Sequence, residues 1–182
     1  CTTVRVPVDY ASIDGRDFVL AVTRHLASDK KNRIGTLFVN PGGPGGSAFT
    51  YAQATNQIVS KRIAQRYDIL GFDPRGVGRS EPTRCLTDTE EDKYISADTV
   101  VITKNDLNTL LQSAKYFASA CAKKVGSKIG HYGSLEAAKD MNLIRTLLHE
   151  PKLNFLGKSY GTFLGTLYAA LYPTKVGKFV LD

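Results

Sequence analysis

Ser159 is the residue whose type and setting point most directly to chemistry. It stands in Gly157-Lys158-Ser159-Tyr160-Gly161, between the short apolar run Leu153-Asn154-Phe155-Leu156 and the apolar stretch that begins at Thr162. A serine on a sharp strand-to-helix reversal presents its hydroxyl as a nucleophile. The residues two positions to either side must be small, or strand and helix collide. Gly157 and Gly161 meet that need, and Gly165 lets the following helix pack closely. The chemistry implied is attack on a carbonyl carbon with a covalent acyl intermediate. A phosphate-binding loop also ends in Gly-Lys-Ser, but it needs a glycine at position 152, where this chain has Lys152, and a loop where residues 153–156 read as a strand.

Acyl transfer needs two backbone N–H donors aimed at the developing oxyanion. Tyr160, the residue after the nucleophile, is expected to supply one. The other must come from a neighbouring loop free of obstructing side chains, and Pro41-Gly42-Gly43-Pro44-Gly45-Gly46 is such a loop. Gly43 is the expected donor and Gly42 the alternative. Two prolines among four glycines make this a shaped loop. A third segment, Asp73-Pro74-Arg75-Gly76-Val77-Gly78-Arg79-Ser80, carries an arginine. Arg75 would either bind a substrate carboxylate or, as the sequence favours, pair with Asp73 or tie down neighbouring loops.

The elements that position these residues are legible from periodicity. Strand patterns at Val4–Val8 and Phe18–Val22, separated by a turn at residues 13–16, read as an antiparallel opening pair. Buried strands are predicted at Gly35–Val39, Tyr67–Phe72, Leu153–Leu156 and Val176–Leu181. Helices are predicted at Ala48–Ala64 with Ser47 as N-cap, at Leu107–Lys124, at Leu135–Glu150 and at Thr162–Tyr172. The helix at 135–150 is amphipathic, with Leu135, Ala138, Met141, Leu143, Ile144, Leu147 and Leu148 mostly on one face. The remainder of 81–133 reads as loop. Alternating strands and helices mean a mostly parallel sheet with crossover helices, an α/β fold. Ligands in such sheets bind at the carboxyl ends of the strands. The three glycine-rich segments, at 41–46, 71–78 and 157–161, all follow strands, so a single site is implied.

Bulk properties bound the alternatives. The chain has 182 residues, 42% hydrophobic and 23% charged, enough for one domain with a core. No apolar run approaches the ~18 residues of a membrane span. The net charge of +7 comes from scattered short clusters such as Lys30-Lys31 and Lys123-Lys124, with no aromatic-interleaved stripe, so nucleic acid is not an expected partner. No His, Cys, Asp or Glu cluster has ligand spacing, and neither a metal nor an organic cofactor is expected. Cys1 leads straight into a strand pattern, without the polar tether usual after a lipidated cysteine, and any export signal is expected to have been removed. Cys85 and Cys121 bracket the polar, loop-rich stretch. An oxidised pair would staple it and imply an extracytoplasmic protein; two unpaired thiols are the alternative.

Leu37–Ser47, Tyr67–Ser80 and Gly157–Thr162 together resemble the secreted tripeptidyl aminopeptidases, within the prolyl-iminopeptidase-like serine peptidases of the α/β-hydrolase fold. The likeness runs from about Val4 to Asp182 and includes Val6–Tyr10, Ala137–Met141 and Val180–Asp182. It implies hydrolysis of peptides near a free N-terminus through an acyl-enzyme on Ser159. It also implies the Cys85–Cys121 bridge and a secreted or cell-envelope location. Pro41 replaces the histidine that precedes Gly-Gly-Pro-Gly in prolyl iminopeptidases.

In this fold the triad order is serine, then acid, then histidine. His25, His131 and His149 all precede Ser159, and Asp182, the one acid after it, reads as a strand-end residue. Residues 1–182 are therefore expected to be the N-terminal part of a single catalytic domain, stopping after the strand that follows the nucleophile helix. The acid, the base, the final strands and the cap would lie in a missing C-terminal portion, and the chain alone would be inactive. An esterase or lipase on the same scaffold is the nearest alternative. A non-catalytic fragment, or one half of a two-chain assembly, is an alternative of a different class.

Overall fold

A computed structural model describes residues 1–12 and 14–182. Of the expected opening turn, Ile13 lies outside the described residues. Six strands form one sheet: β1 (Thr2–Pro7), β2 (Asp17–His25), β3 (Gly35–Asn40), β4 (Tyr67–Phe72), β5 (Leu153–Gly157) and β6 (Val176–Leu181). Their order is β1-β2-β4-β3-β5-β6. β1 pairs antiparallel with β2, and β2 with β4, while β4, β3, β5 and β6 run parallel.

The described residues fall into two compact units, 1–82 with 131–182, and 83–130. In the first, both faces of the central strands β3 and β4 are covered, so these are buried almost throughout instead of alternating, whereas the outer parallel strands β5 and β6 are only partly covered. Phe38, Leu70, Phe72, Leu153 and Phe155 point to one face, where they pack with Met141 and Ile144 of α6 (Ser134–Leu147) and Leu164 and Tyr168 of α7 (Tyr160–Leu171). Val39, Tyr67 and Ile69 point to the other, against Ala52 of α1 (Ala48–Gln53) and Ile63 of α3 (Lys61–Arg66). Each such fully buried Phe, Leu or Ile contributes roughly 1.5–3 kcal/mol of transfer free energy.

The helix predicted over 48–64 is three short ones, with α2 (Thr55–Ile58) between α1 and α3. The break falls where the Thr55 hydroxyl donates to the Ala52 carbonyl (2.7 Å) and where Val59 and Ser60 turn extended. β-Branched and hydroxyl residues give the backbone that alternative. On α6, Ala138, Met141 and Ile144 are buried as expected, but Leu135 and Leu147 face solvent.

In the second unit α5 (Lys104–Val125) matches the helix expected at 107–124, and the stretch read as loop contains a further helix, α4 (Asp88–Ile95). α4 has no buried residue. It starts instead with a capping box, in which the Thr87 hydroxyl receives the Glu90 N–H and Glu90 receives the Thr87 N–H. The same Glu90 carboxylate accepts the Tyr116 hydroxyl of α5, and this bond, ahead of those from Thr87, lowers its pKa to about 2. Cys85 and Cys121 are joined, closing a 36-residue separation, a constraint worth about 3–4 kcal/mol in the chain-entropy account. Cys1 is exposed and unpaired by disulfide.

Within the first unit one buried ion pair ties four chain segments. Arg75 uses all five donors: Nε and Nη2 to the Asp140 carboxylate (both 2.8 Å), Nη2 to the Pro7 carbonyl (2.8 Å), and Nη1 to those of Val8 (2.7 Å) and His131 (3.1 Å). The Tyr10 hydroxyl donates to Asp140 (2.7 Å), and the guanidinium lies over the Phe18 and Tyr10 rings. Burial, and then the Asp140 charge, raise the Tyr10 phenol above its ordinary range. Removing one partner of such a pair strands the other charge in a dry site. Asp140→Ala is therefore expected to lower unfolding stability by about 3–5 kcal/mol, read from urea titration. Loss of under about 1 kcal/mol would mean that water or another acceptor takes over Arg75.

Candidate active site

The parallel strands β3, β4 and β5 end at one edge of the sheet, and each is followed by one of the three glycine-rich segments. Ser159 lies between β5 and α7 at φ 52°, ψ −121° and is exposed. For a residue with a Cβ this is sparsely populated backbone, which persists only where the surroundings over-determine it. They do so here. The Ser159 N–H donates to the Asp182 carbonyl (2.7 Å), and the Asp182 N–H donates back to Gly157 (2.9 Å). The Lys158 N–H donates to the Asn40 carbonyl at the end of β3 (3.0 Å), and the Ser159 carbonyl accepts the Thr162 N–H and hydroxyl.

The flanking glycines are there for space. A Cβ on Gly157 would strike the Gly161 carbonyl oxygen, and one on Gly161 would lie 2.9 Å from the Asn40 carbonyl oxygen. A Cβ on Gly165 would meet Leu181 and Phe155 at 2.8 Å, so the α7 backbone lies almost directly on the sheet.

The loop after β3 crosses this reversal. Gly42, at φ +88°, is so close that a Cβ would run into the Lys158 carbonyl oxygen, 2.9 Å from the Tyr160 nitrogen and 3.0 Å from Ser159 Cβ. Its N–H is taken by the Asn40 side chain (2.9 Å), and its carbonyl accepts the Gly46 N–H (3.1 Å). Among the described residues neither the Gly43 N–H nor the Tyr160 N–H has a hydrogen-bond acceptor. The Tyr160 N–H is one of the first-turn donors that a helix leaves open, at the positive end of the α7 dipole. The Tyr160 side chain is tied to Ser134 at the start of α6, hydroxyl to hydroxyl at 2.6 Å.

The Asp73 segment is structural in its contacts. Asp73 does not pair with Arg75, contrary to one expectation from the sequence. Its carboxylate accepts the Ser47 hydroxyl and the Phe49 N–H at the start of α1, and the Arg79 N–H across its own turn, each at 2.9 Å. Arg75 reaches Asp140 because the turn carries it under β1, and with every donor occupied it has none for a substrate carboxylate.

The Ser159 hydroxyl makes no hydrogen bond among the described residues, so no histidine is joined to it. His149 precedes β5 and thus sits at the opposite sheet edge, and His25 ends antiparallel β2 beside Ile69, towards the start of β4. His131 lends its carbonyl to Arg75. Lys158 and Asp182 form an exposed ion pair (3.6 Å), worth about 0–1 kcal/mol. Sequence reasoning missed Asn40, Ser134 and Asp140. Of these only Asn40 carried a signal, an Asn two residues before a glycine at a strand end, where Asx turns form.

The family model for the α/β-hydrolase fold matches residues 35–182. The chain is 40% identical over its whole length to a tripeptidyl aminopeptidase of Streptomyces lividans, and 38% identical to serine protease Hip1 of Mycobacterium tuberculosis. It covers 34% and 35% of these proteins, so it spans about a third of the length of the curated relatives it matches. A probable hydrolytic enzyme from Pseudomonas aeruginosa has the same fold, with a TM-score of 0.56 at 15% identity, over 99% of this chain and 40% of that one.

The contrast between two loop glycines tests the crossing. Gly45 has nothing within 4 Å of an added Cβ, whereas Gly42 has both the positive φ and the collision. Gly42→Ala is expected to destabilise the protein by more than about 1 kcal/mol, since the backbone itself resists the substitution. Gly45→Ala should stay within about 0.5 kcal/mol. Equal thermal-melt effects for the two would show that the loop does not rest on the reversal.

Proposed function

The chain belongs to the α/β-hydrolase fold family, and from that premise we propose that it carries the nucleophile and oxyanion site of an exported serine aminopeptidase. The observation that carries this reading is Ser159 held at φ 52° on the reversal between β5 and α7, against the glycine loop, with the Gly43 and Tyr160 N–H groups lacking acceptors among the described residues. Its relatives narrow the chemistry: the two similar proteins are a tripeptidyl aminopeptidase and a serine protease.

In the proposed reaction Ser159 Oγ attacks the scissile carbonyl carbon of a short peptide. A histidine accepts the hydroxyl proton and then delivers it to the departing amine, leaving an acyl ester on Ser159 that water hydrolyses. The Gly43 and Tyr160 N–H groups stabilise the tetrahedral oxyanion, each worth about 10²–10³ in rate by analogy with single-donor deletions. Asp73 and Arg75 hold the neighbouring segments. No metal or organic cofactor takes part in this scheme. The acid and the histidine come from residues other than these 182, as part of the same catalytic domain. The position of His149 and His25 away from the strand ends supports this, as does the serine–acid–histidine order of the fold. The Cys85–Cys121 disulfide favours an oxidising, extracytoplasmic compartment. No helix among the described residues is long and apolar enough to cross a membrane.

A fluorophosphonate probe should label the intact gene product at Ser159 alone, and labelling that survives Ser159→Ala would remove the nucleophile assignment. Unblocked tripeptide amides should be cleaved faster than N-acetylated ones or short-chain esters; the reverse order would favour an esterase.

Residues 1–182 in isolation should show no Ser159-dependent turnover, because a serine without its base loses nearly as much as a site without its triad. Robust turnover by this chain alone would place the base on His25, His131 or His149.

A further inference from the structure

The oxyanion reading needs the Gly43 N–H to point at the reacting carbonyl, yet nothing in a glycine-rich loop fixes a peptide plane by itself. Three bonds from two residues do so here. Asn40 Oδ1 accepts the Gly42 N–H (2.9 Å). The Asn40 carbonyl accepts the Lys158 N–H (3.0 Å), in a strand register that sets Asn40 opposite Gly157. The Gly42 carbonyl accepts the Gly46 N–H (3.1 Å). Peptide bonds here are trans, so the N–H of residue 43 points opposite to the carbonyl of residue 42. Turning that carbonyl towards Gly46 therefore turns the Gly43 N–H the other way. Asn40 is 3% exposed, and among the described residues it is the one bonded through its side chain to the loop and through its backbone to the nucleophile turn.

We propose that Asn40 is the positioning residue of the oxyanion site: by holding the Gly42 N–H on its side chain and Lys158 on its carbonyl, it fixes the Gly43 donor relative to Ser159. This rests on the serine-hydrolase reading above. Asn40 touches no reacting atom; it acts through the loop. Losing it should leave substrate binding in place while the transition state loses one donor.

The test is steady-state kinetics and fluorophosphonate labelling of the intact protein carrying Asn40→Ala, Asn40→Ser or Ser159→Ala. Asn40→Ala should lower kcat about 10²-fold, the scale for one oxyanion donor, with KM within about twofold. Asn40→Ser keeps a side-chain oxygen able to accept the N–H two residues on, so it should regain at least about tenfold of that loss. Urea midpoints measured on the same samples separate this from unfolding. If Asn40→Ala does not fold, Asn40→Ser carries the test, with kcat reduced about tenfold and KM unchanged. An Asn40→Ala variant that folds and keeps kcat within about threefold, or a loss in either variant only in proportion to its unfolded fraction, overturns the proposal. Activity that survives Ser159→Ala overturns the hydrolase reading; activity that needs Ser159 and ignores Asn40 overturns this inference alone.

Discussion

A residue with a Cβ must sit in left-handed backbone between β5 and α7, and most of the sheet edge answers to that requirement. Such a conformation costs on the order of 1–3 kcal/mol and relaxes unless its neighbours prevent it. Here the restraints come from both sides, the Asn40 carbonyl receiving Lys158 and the Asp182 carbonyl receiving Ser159. Both carbonyls belong to strand ends, so the reversal is built into the ladder and not added to it. The glycines at 157, 161 and 165 follow from the same demand, since any Cβ there would push α7 off the sheet. An exposed hydroxyl at the positive end of a helix is the outcome, and its electrostatic setting favours developing negative charge.

The edge is kept in shape by two buried acids that take no part in the proposed chemistry. Asp73 gathers the start of α1 and its own turn, three donors on one carboxylate. Asp140 neutralises Arg75, which in turn collects the carbonyls of Pro7, Val8 and His131. A buried ion pair of this kind is weak evidence for net stability, because desolvating both charges offsets their attraction. Its effect is specificity of arrangement: with five donors satisfied, β1, the turn after β4 and α6 have one mutual placement that leaves no buried charge unpaired.

Much of this was legible in the sequence, and the parts that were not share a physical reason. Strands β3 to β6 and the nucleophile turn were readable because apolar runs and small residues are local signals. The partner of Arg75 was not, since Asp140 lies 65 residues away and Asp73 looked equally suitable from its place in the chain. Helix α4 carries no apolar periodicity; its support is a capping box and a tyrosine bond, of which only the Thr87-to-Glu90 spacing stands in the sequence. The break at Ala54 depends on a hydroxyl choosing a backbone carbonyl, which periodicity cannot show. Between Gly42 and Gly43 as proposed donor, the distinguishing contact is Asn40 holding the Gly42 N–H, which composition does not encode.

The proposed oxyanion donors and nucleophile are set by backbone, not by side-chain rotamers, and this makes strand register the quantity that matters most. β3 and β5 pair with Asn40 opposite Gly157. From that pair the chain leaves in two directions, into the loop that ends in the Gly43 N–H and into the turn that ends in Ser159 and the Tyr160 N–H. A slip of one residue would reverse every side chain of the moved strand between the two faces. Phe155 would leave the α6–α7 layer and Leu156 would enter it, so the core on both sides opposes the slip. Packing many residues from the edge thereby fixes the separation of the three backbone groups on which the proposed acyl transfer depends. The apolar faces of β3 and β5 thus act on the site through register alone, without contributing a polar atom to it.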